Sequence, residues 1–170
     1  MSAYAYKIIL NAGFEGTHGD FLSLDLNKTF DVVTAWDVIE HCVSPGLFMS
    51  RVYSCLKEKG ILALTTPDCG SLVARLSGKR WFEYKWPEHL FYLNRQTLQL
   101  YCEKFGFQVL VSKPAIKYKF IGDAIARWIG LYESNPFLNN ILGKRQMPYS
   151  SFSEVFLIAQ KIAVPIARPR

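Results

Sequence analysis

Residues 30–66 read FDVVTAWDVIEHCVSPGLFMSRVYSCLKEKGILALTT, and the order of elements in this stretch decides the fold. Its two ends, Phe30–Trp36 and Ile61–Thr66, are short apolar runs typical of interior strands. Between them, Ser44 and the proline after it predict the start of a helix that we expect Gly60 to end. A strand, a helix and a strand with such short connections predict a right-handed crossover in a parallel sheet.

The alternation of helices and strands continues on both sides of this unit. Upstream, a helix over Ala3–Ala12, ended by Gly13, precedes a short strand predicted over Phe14–His18. A chain that starts inside an amphipathic helix, with no strand before it, is typical of a sheet whose first strands are missing. Downstream, Asn94 caps a helix that leads into a strand over Phe107–Val111. These elements predict a second parallel crossover unit in an open α/β sheet.

The length of 170 residues predicts one domain with a single core. The alternation defines a core, a helical insertion or lid with apolar residues at helical spacing, a last strand and a loose tail. These parts are residues 1–112, 113–150 (with its helix over Ile121–Tyr132), 151–161 and 162–170.

Composition and charge restrict the class of protein further. Half of the residues are hydrophobic, which excludes a disordered chain. The four cysteines lack the paired spacing of a zinc site, and neither a signal peptide nor a bilayer-length apolar run is visible, so we expect reduced thiols and a cytoplasmic location. The net charge of +6 is spread along the sequence, which argues against a nucleic-acid partner. The helix of the insertion could contact a membrane surface or pair two subunits in a homo-oligomer, but covering the sheet is favoured.

Several short motifs occur in an order that resembles one enzyme family. They are His18-Gly19-Asp20, Phe30-Asp31-Val32-Val33, Asp37-Val38-Ile39-Glu40-His41, Gly60-Ile61-Leu62 with Thr66-Pro67, Pro87-Glu88-His89-Leu90-Phe91-Tyr92 and Phe105-Gly106-Phe107. Together they resemble class I S-adenosylmethionine-dependent methyltransferases, in particular the branch of the ubiquinone-biosynthesis O-methyltransferases. The resemblance implies an N-terminally truncated, partial Rossmann-like sheet that lacks the first two strands and the glycine-rich cofactor loop.

The implied function is methyl transfer from S-adenosylmethionine, by preference to an oxygen of a small hydroxylated acceptor. The acceptor would be aromatic, lipid or sugar, and the aromatic stretch Trp81–Tyr92 would either line its pocket or belong to the core. An alternative reading is an inactive or split methyltransferase-like module that serves as a protein partner. An unrelated nucleotide-binding domain is disfavoured because no phosphate-binding loop is present.

Five residues are implied to hold the cofactor, at the sheet edge where open α/β folds bind ligands. By resemblance, Asp20 accepts a hydrogen bond from the adenine amino group, and Phe21 lies against the ring. Ala35, Trp36 and Asp37 border the methionine part of the cofactor. The simpler alternatives are that Asp20 is an ordinary turn residue and that Trp36 packs in the core.

Two further roles concern the residues that follow the first strong strand. Asp37, Glu40 and His41 stand at i, i+3 and i+4, on one face of a helical turn. By resemblance they support a divalent metal such as Mg²⁺, whereas the alternative is a carboxylate at a helix start with a packed histidine. His41 and His89 are the candidate general bases for the acceptor hydroxyl, or else they make structural hydrogen bonds.

Overall fold

The computed structural model describes residues 3–120, 146–149 and 152–162. Its helices are α1 (Ala3–Asn11), α2 (Pro45–Cys55), α3 (Leu72–Ser77) and α4 (Arg95–Lys104), with 3-10 turns at Ile39–His41 and Gly78–Arg80. Its strands are β1 (Phe30–Trp36), β2 (Leu56–Pro67), β3 (Phe107–Pro114), β4 (Lys117–Phe120), β5 (Gln146–Tyr149) and β6 (Glu154–Lys161). Four of the strands form a sheet in the order β1-β2-β6-β3, and β4 and β5 form a second sheet.

The predicted unit of β1, α2 and β2 is confirmed. β1 and β2 run parallel, and the Ser44 side chain caps α2 by accepting a hydrogen bond from the backbone N–H of Leu47. The predicted helix end at Gly60 is wrong, because α2 ends at Cys55 and Gly60 lies inside β2. A Cβ at this position would lie 2.9 Å from the Lys57 carbonyl oxygen and 3.2 Å from that of Asp31. Close approach of two backbones therefore requires the glycine.

The last strand, β6, lies between β2 and β3 and runs antiparallel to both. The predicted strand over residues 154–160 is thus confirmed. β3 runs in the same direction as β2, as the predicted second crossover requires, but the two strands are not neighbours. The sheet is therefore mixed, with β1 at one edge of the described part.

The core lies between this sheet and the helices α2 and α4. The Asn94 cap of α4 is confirmed, since its Oδ1 accepts a hydrogen bond of 2.8 Å from the backbone N–H of Thr97. The buried apolar residues of sheet and helices form one cluster, which includes Phe48, Met49, Val52, Leu62, Leu64, Leu98, Cys102, Phe107, Val155, Leu157 and Ala159. Burial of this cluster fixes the carboxyl ends of β1 and β2 relative to each other.

Other parts of the chain differ from the prediction. α1 is confirmed and ends before Gly13 at φ +81°, but residues 14–18 form no strand, because no described strand pairs with them. In its described residues, the segment predicted as a helical insertion starts with the end of β3 and contains β4 and β5, which form an antiparallel pair. The helix predicted over Ile121–Tyr132 and most of the predicted tail lie outside the described residues. Within the described residues, no helix is long and apolar enough to cross a membrane.

We expect Asn94→Ala to lower the free energy of unfolding by about 1 kcal/mol, because the Thr97 N–H loses its acceptor at the start of α4. Asn94→Asp keeps an acceptor oxygen and should lose much less. Urea denaturation of both variants measures the difference. Equal losses in the two variants would mean that the cap hydrogen bond does not stabilise α4.

Candidate active site

The site is built where β1 and β2 end side by side. Trp36 pairs with Thr65 in the last step of their register, and the chain then turns at Asp37, whose φ is +52°. The Asp37 N–H donates to the carbonyl oxygen of Thr65 at 3.1 Å. The Thr65 hydroxyl in turn donates to Oδ1 of Asp37 at 2.8 Å. Such backbone strain is typical of functional sites, and here the two bonds from β2 maintain it.

Glu40 lies in the 3-10 turn that follows, and it is 1% exposed. One carboxylate oxygen, Oε2, accepts a hydrogen bond of 2.9 Å from the Thr66 hydroxyl. The other oxygen, Oε1, is buried and has no hydrogen-bond partner among the described residues. Burial raises the pKa of the Glu40 carboxyl above its ordinary value, and the hydrogen bond from Thr66 offsets only part of this effect. A buried orphan oxygen of this kind is costly unless a ligand satisfies it.

The two candidate bases, His41 and His89, lie together although they are far apart in the sequence. Their ring centroids are 4.8 Å apart, in an edge-to-face arrangement. Nδ1 of His41 lies 2.7 Å from the carbonyl oxygen of Glu88, and Nδ1 of His89 lies 2.9 Å from that of Glu83. A carbonyl oxygen can only accept, so each Nδ1 carries a hydrogen, and in the neutral form of each ring the lone pair is on Nε2.

Glu40, His41 and His89 form a cluster that could hold a metal ion. Each offers one donor atom, and these atoms all lie within 4.8 Å of one another. Two backbone hydrogen bonds, from the N–H groups of Leu90 and Phe91 to the Glu40 carbonyl oxygen, hold the segment that carries His89 against the 3-10 turn. The cluster opens into a cavity of about 300 Å³ whose described lining is Asp37, Glu40, His41, Pro67, Glu83, Lys85, Glu88, His89 and Glu154.

The predicted metal set is therefore only partly brought together. Asp37 lines the same cavity, but the cluster contains His89 in its place. The reason is local: one turn of regular helix would align positions 37, 40 and 41, whereas the chain forms a strained turn at Asp37 and a 3-10 turn only from Ile39. Sequence spacing could not reveal His89 as a neighbour, because tertiary contacts deliver it.

Of the predicted cofactor residues, Asp20 and Phe21 lie in a turn and not at the end of a strand. The Asp20 carbonyl oxygen accepts hydrogen bonds from Ser23 and Leu24, and its side chain accepts one from Leu22. Phe21 packs on Phe48, with ring centroids 5.7 Å apart. The hydrogen bonds of Asp20 are thus those of a turn residue, which was the simpler alternative, and the residue is exposed.

The other three cofactor candidates, Ala35, Trp36 and Asp37, do lie at the carboxyl edge of the sheet. Ala35 is buried, whereas Trp36 is 52% exposed and stacks on Phe156 of β6, with centroids 6.1 Å apart. A second cavity of about 430 Å³ lies beside Trp36 and shares Asp37 with the acidic one. Trp36 is therefore not a core residue, and its ring borders open space.

Sequence reasoning missed several residues that shape the site. Thr65 and Thr66 hold the two carboxylates, and the carbonyl groups of Glu83 and Glu88 orient the histidines. The strand end at Thr66-Pro67 was the available signal for the threonines. The aromatic side chains from Trp81 to Tyr92 are absent from the described lining of the acidic cavity, and Trp81 is core, donating to Ser153 at 2.6 Å.

A family model described as a methyltransferase domain matches residues 11–112. The chain belongs to this methyltransferase domain family. It is 38% identical over 68 residues to the mitochondrial ubiquinone biosynthesis O-methyltransferase of Schizosaccharomyces pombe, a match that covers 40% of this chain and 24% of the length of that protein. The family membership and the α/β sheet confirm the predicted Rossmann-like methyltransferase fold.

Solved structures show the same fold at low sequence identity. A Thermotoga maritima S-adenosylmethionine-dependent methyltransferase, described as a possible histamine N-methyltransferase, is 18% identical with a TM-score of 0.62, and the match covers 94% of this chain and 70% of that one. An S-adenosylmethionine-dependent methyltransferase of Clostridium acetobutylicum is 10% identical, with a TM-score of 0.56 and the same coverage of both chains. At these identities the likeness establishes the fold alone.

We expect Glu40→Gln to gain stability over the wild type as pH rises. The folded state raises the pKa of Glu40 above 4.5, so the native protein binds the proton more tightly than the unfolded chain. The stability that Glu40 contributes to the wild type is thus fully present below pH 4.5 and is lost as pH rises through the folded-state pKa. The glutamine has no such dependence.

Urea denaturation of both proteins in metal-free buffer, at about pH 5 and about pH 8, measures this effect. Asp31→Asn removes a surface carboxylate, paired with Lys57, and serves as the control. A stability difference between wild type and Glu40→Gln that stays the same at both pH values would contradict the prediction.

Proposed function

We propose that the protein takes part in S-adenosylmethionine-dependent methyl transfer to a hydroxyl oxygen of a small acceptor. The observation that carries the proposal is the convergence of Glu40, His41 and His89 at the carboxyl ends of β1 and β2, in a chain of the methyltransferase domain family. The carboxyl end of an open α/β sheet is where ligands bind. The relative from Schizosaccharomyces pombe is named an O-methyltransferase, which supports oxygen as the acceptor atom.

His41 and His89 are suited to accept the acceptor's proton. Each presents an Nε2 lone pair, because each Nδ1–H is bonded to a backbone carbonyl oxygen. A neutral imidazole accepts a proton from a hydroxyl group near pH 7 as that oxygen becomes a nucleophile. His89 is 4% exposed and His41 is exposed, so in this proposal His41 meets the acceptor and His89 supports it from the buried side.

S-adenosylmethionine, when bound, supplies a methyl group on a positively charged sulfur. Ala35–Asp37 fit its methionine part: they lie at the sheet edge, the turn at Asp37 exposes backbone, and Trp36 borders a cavity. Asp20 fits the adenine amino group in being exposed. Phe21 fits less well, because its ring already packs on Phe48. Alignment in a water-poor pocket would provide most of the rate acceleration.

A divalent metal is a second candidate occupant of the cluster, in place of a purely acid–base site. Two imidazole nitrogens and one carboxylate suit Zn²⁺, Mn²⁺ or Fe²⁺ better than Mg²⁺, which prefers oxygen donors. The Nδ1–H bonds to carbonyl groups are also those that usually orient metal-binding histidines. The expected Mg²⁺ is therefore replaced in the proposal by a metal that accepts nitrogen.

A partner module is the second candidate function, and one observation favours it. β1 has no described neighbour on one side, and Val32 and Trp36 next to that edge are more than half exposed. An open edge strand is a surface where another chain, or a second copy of this one, can pair. In this reading the protein contributes part of a site that a partner completes. A reducing, cytoplasmic setting suits either function, and all four cysteines are free.

We expect S-adenosylhomocysteine to bind the purified chain more weakly than micromolar. The residues proposed for the cofactor lie in two short segments, and one of the two rings, Phe21, is committed to the core. Calorimetric titration measures the affinity, with Trp36→Ala as a variant that should weaken it further and Trp86→Ala as an exposed control outside both cavities. Micromolar binding would contradict the expectation of an incomplete site. Undetectable binding by every variant favours the partner module.

His41→Ala should lower the rate of methyl transfer by about 10²–10⁴-fold if the imidazole is the general base. Activity should then show no requirement for metal. If the cluster holds a metal, His41→Ala and His89→Ala should instead both lower the affinity for Zn²⁺, measured by calorimetry. Unchanged rate and unchanged Zn²⁺ affinity in both variants would exclude a functional role for the histidines.

A further inference from the structure

The cavity that contains His41 and His89 has more carboxylates in its lining than a general base or a metal site requires. Among the residues the structure describes, its lining has five carboxylates, those of Asp37, Glu40, Glu83, Glu88 and Glu154, against one ammonium, that of Lys85. The protein as a whole is basic, with a formal net charge of +6. This concentration of negative charge in a cavity of about 300 Å³ is therefore a local feature and not a property of the general surface.

An acidic lining alone does not define a binding site, but here a buried group also lacks a partner. Glu40 is 1% exposed, its Oε2 is held by Thr66, and its Oε1 has no hydrogen-bond partner in the part of the chain that the structure describes. Leaving such an oxygen unpaired costs free energy that a bound hydrogen-bond donor recovers. A ligand that brings N–H donors and positive charge would satisfy it.

The cavity already accommodates one alkylammonium. Nζ of Lys85 lies 2.8 Å from Oε2 of Glu83, whose side chain is 7% exposed. This pair matches the charge of Glu83. Glu88 is an exposed residue of the same lining, and its backbone carbonyl oxygen bonds Nδ1 of His41. Positive charge bound here would therefore lie next to the candidate base.

We propose that the acceptor is a small hydroxylated amine, whose ammonium group binds among the cavity carboxylates while its hydroxyl reaches His41. The class comprises amino alcohols, hydroxylated aromatic amines and amino sugars. Anionic acceptors are disfavoured, because a carboxylate on the ligand would be repelled by Glu40 and Glu88. Neutral acceptors are disfavoured because they lack the positive charge that these carboxylates attract. The hydroxyl part of this inference rests on the proposed methyl transfer, whereas the ammonium part rests on the cavity alone.

Three phenols that differ mainly in the charge at the end of their side chain test this inference directly. They are tyramine (cationic), 4-propylphenol (neutral) and 3-(4-hydroxyphenyl)propionate (anionic), titrated calorimetrically into the full chain in metal-free buffer near pH 7. We expect tyramine to bind about tenfold more tightly than the neutral phenol, and the anionic phenol to show no binding. Equal or tighter binding of either of the other two phenols, or no binding of any phenol, would overturn the inference.

Substitutions of single carboxylates test which of them is responsible for the preference for the cationic phenol. Glu88→Gln should weaken tyramine binding severalfold and leave 4-propylphenol unchanged, because only the cation contacts this carboxylate. Glu103→Gln removes the same charge from the exposed side of α4, outside the cavity, and should change neither affinity. If both substitutions weakened tyramine binding equally, the preference would come from the overall charge of the protein, and the proposed binding site would be wrong.

Methyl transfer is measured separately, so that the two proposals fail in different ways. Transfer of the labelled methyl group of S-adenosylmethionine to all three phenols at similar rates would support the enzyme and overturn the amine preference. Tight tyramine binding without any transfer would support the cation site and count against the proposed activity of this chain.

Discussion

The site depends on two adjacent threonine hydroxyl groups at the end of β2. Thr65 donates a hydrogen bond to Asp37, and Thr66 donates one to Glu40. The two carboxylates of the segment that follows β1 are therefore held by the neighbouring strand β2. Because consecutive residues of a strand point to opposite faces of the sheet, the two hydroxyl groups reach two different carboxylates. Without the parallel pairing of β1 and β2, neither carboxylate would have a fixed position.

The consequence of this constraint is a strained connection that faces ligand space. Asp37 adopts a positive φ, and Glu40 is buried with one oxygen unpaired, two costs that the surrounding core must offset. The packing of α2 and α4 on the sheet provides that stability away from the site. Such a division is common in binding sites, where stability is lost locally in order to hold polar groups ready for a ligand.

Backbone carbonyl groups complete the arrangement in a way that no side-chain pattern shows. The segment from Glu83 to His89 places two carbonyl oxygens against the two imidazoles, whose ring centroids lie 4.8 Å apart, and the Nδ1 atom of each ring bonds one of these oxygens. The same segment carries carboxylates into the cavity. Base, metal ligand and cation-binding charge are thus three uses of one structural unit, which is why the proposed functions share so many residues.

The sequence by itself determined the unit of β1, α2 and β2, the capped helix α4, the last strand and the family, because local periodicity, capping residues and ordered motifs are short-range signals. It also identified Glu40, His41 and His89 as candidates. Only the tertiary structure decided that His89 replaces Asp37 beside the other two, that Gly60 serves a close approach of strands, and that residues 14–18 form no strand. Each of these depends on which backbone lies next to which, and that information is carried by long-range packing and not by spacing along the chain.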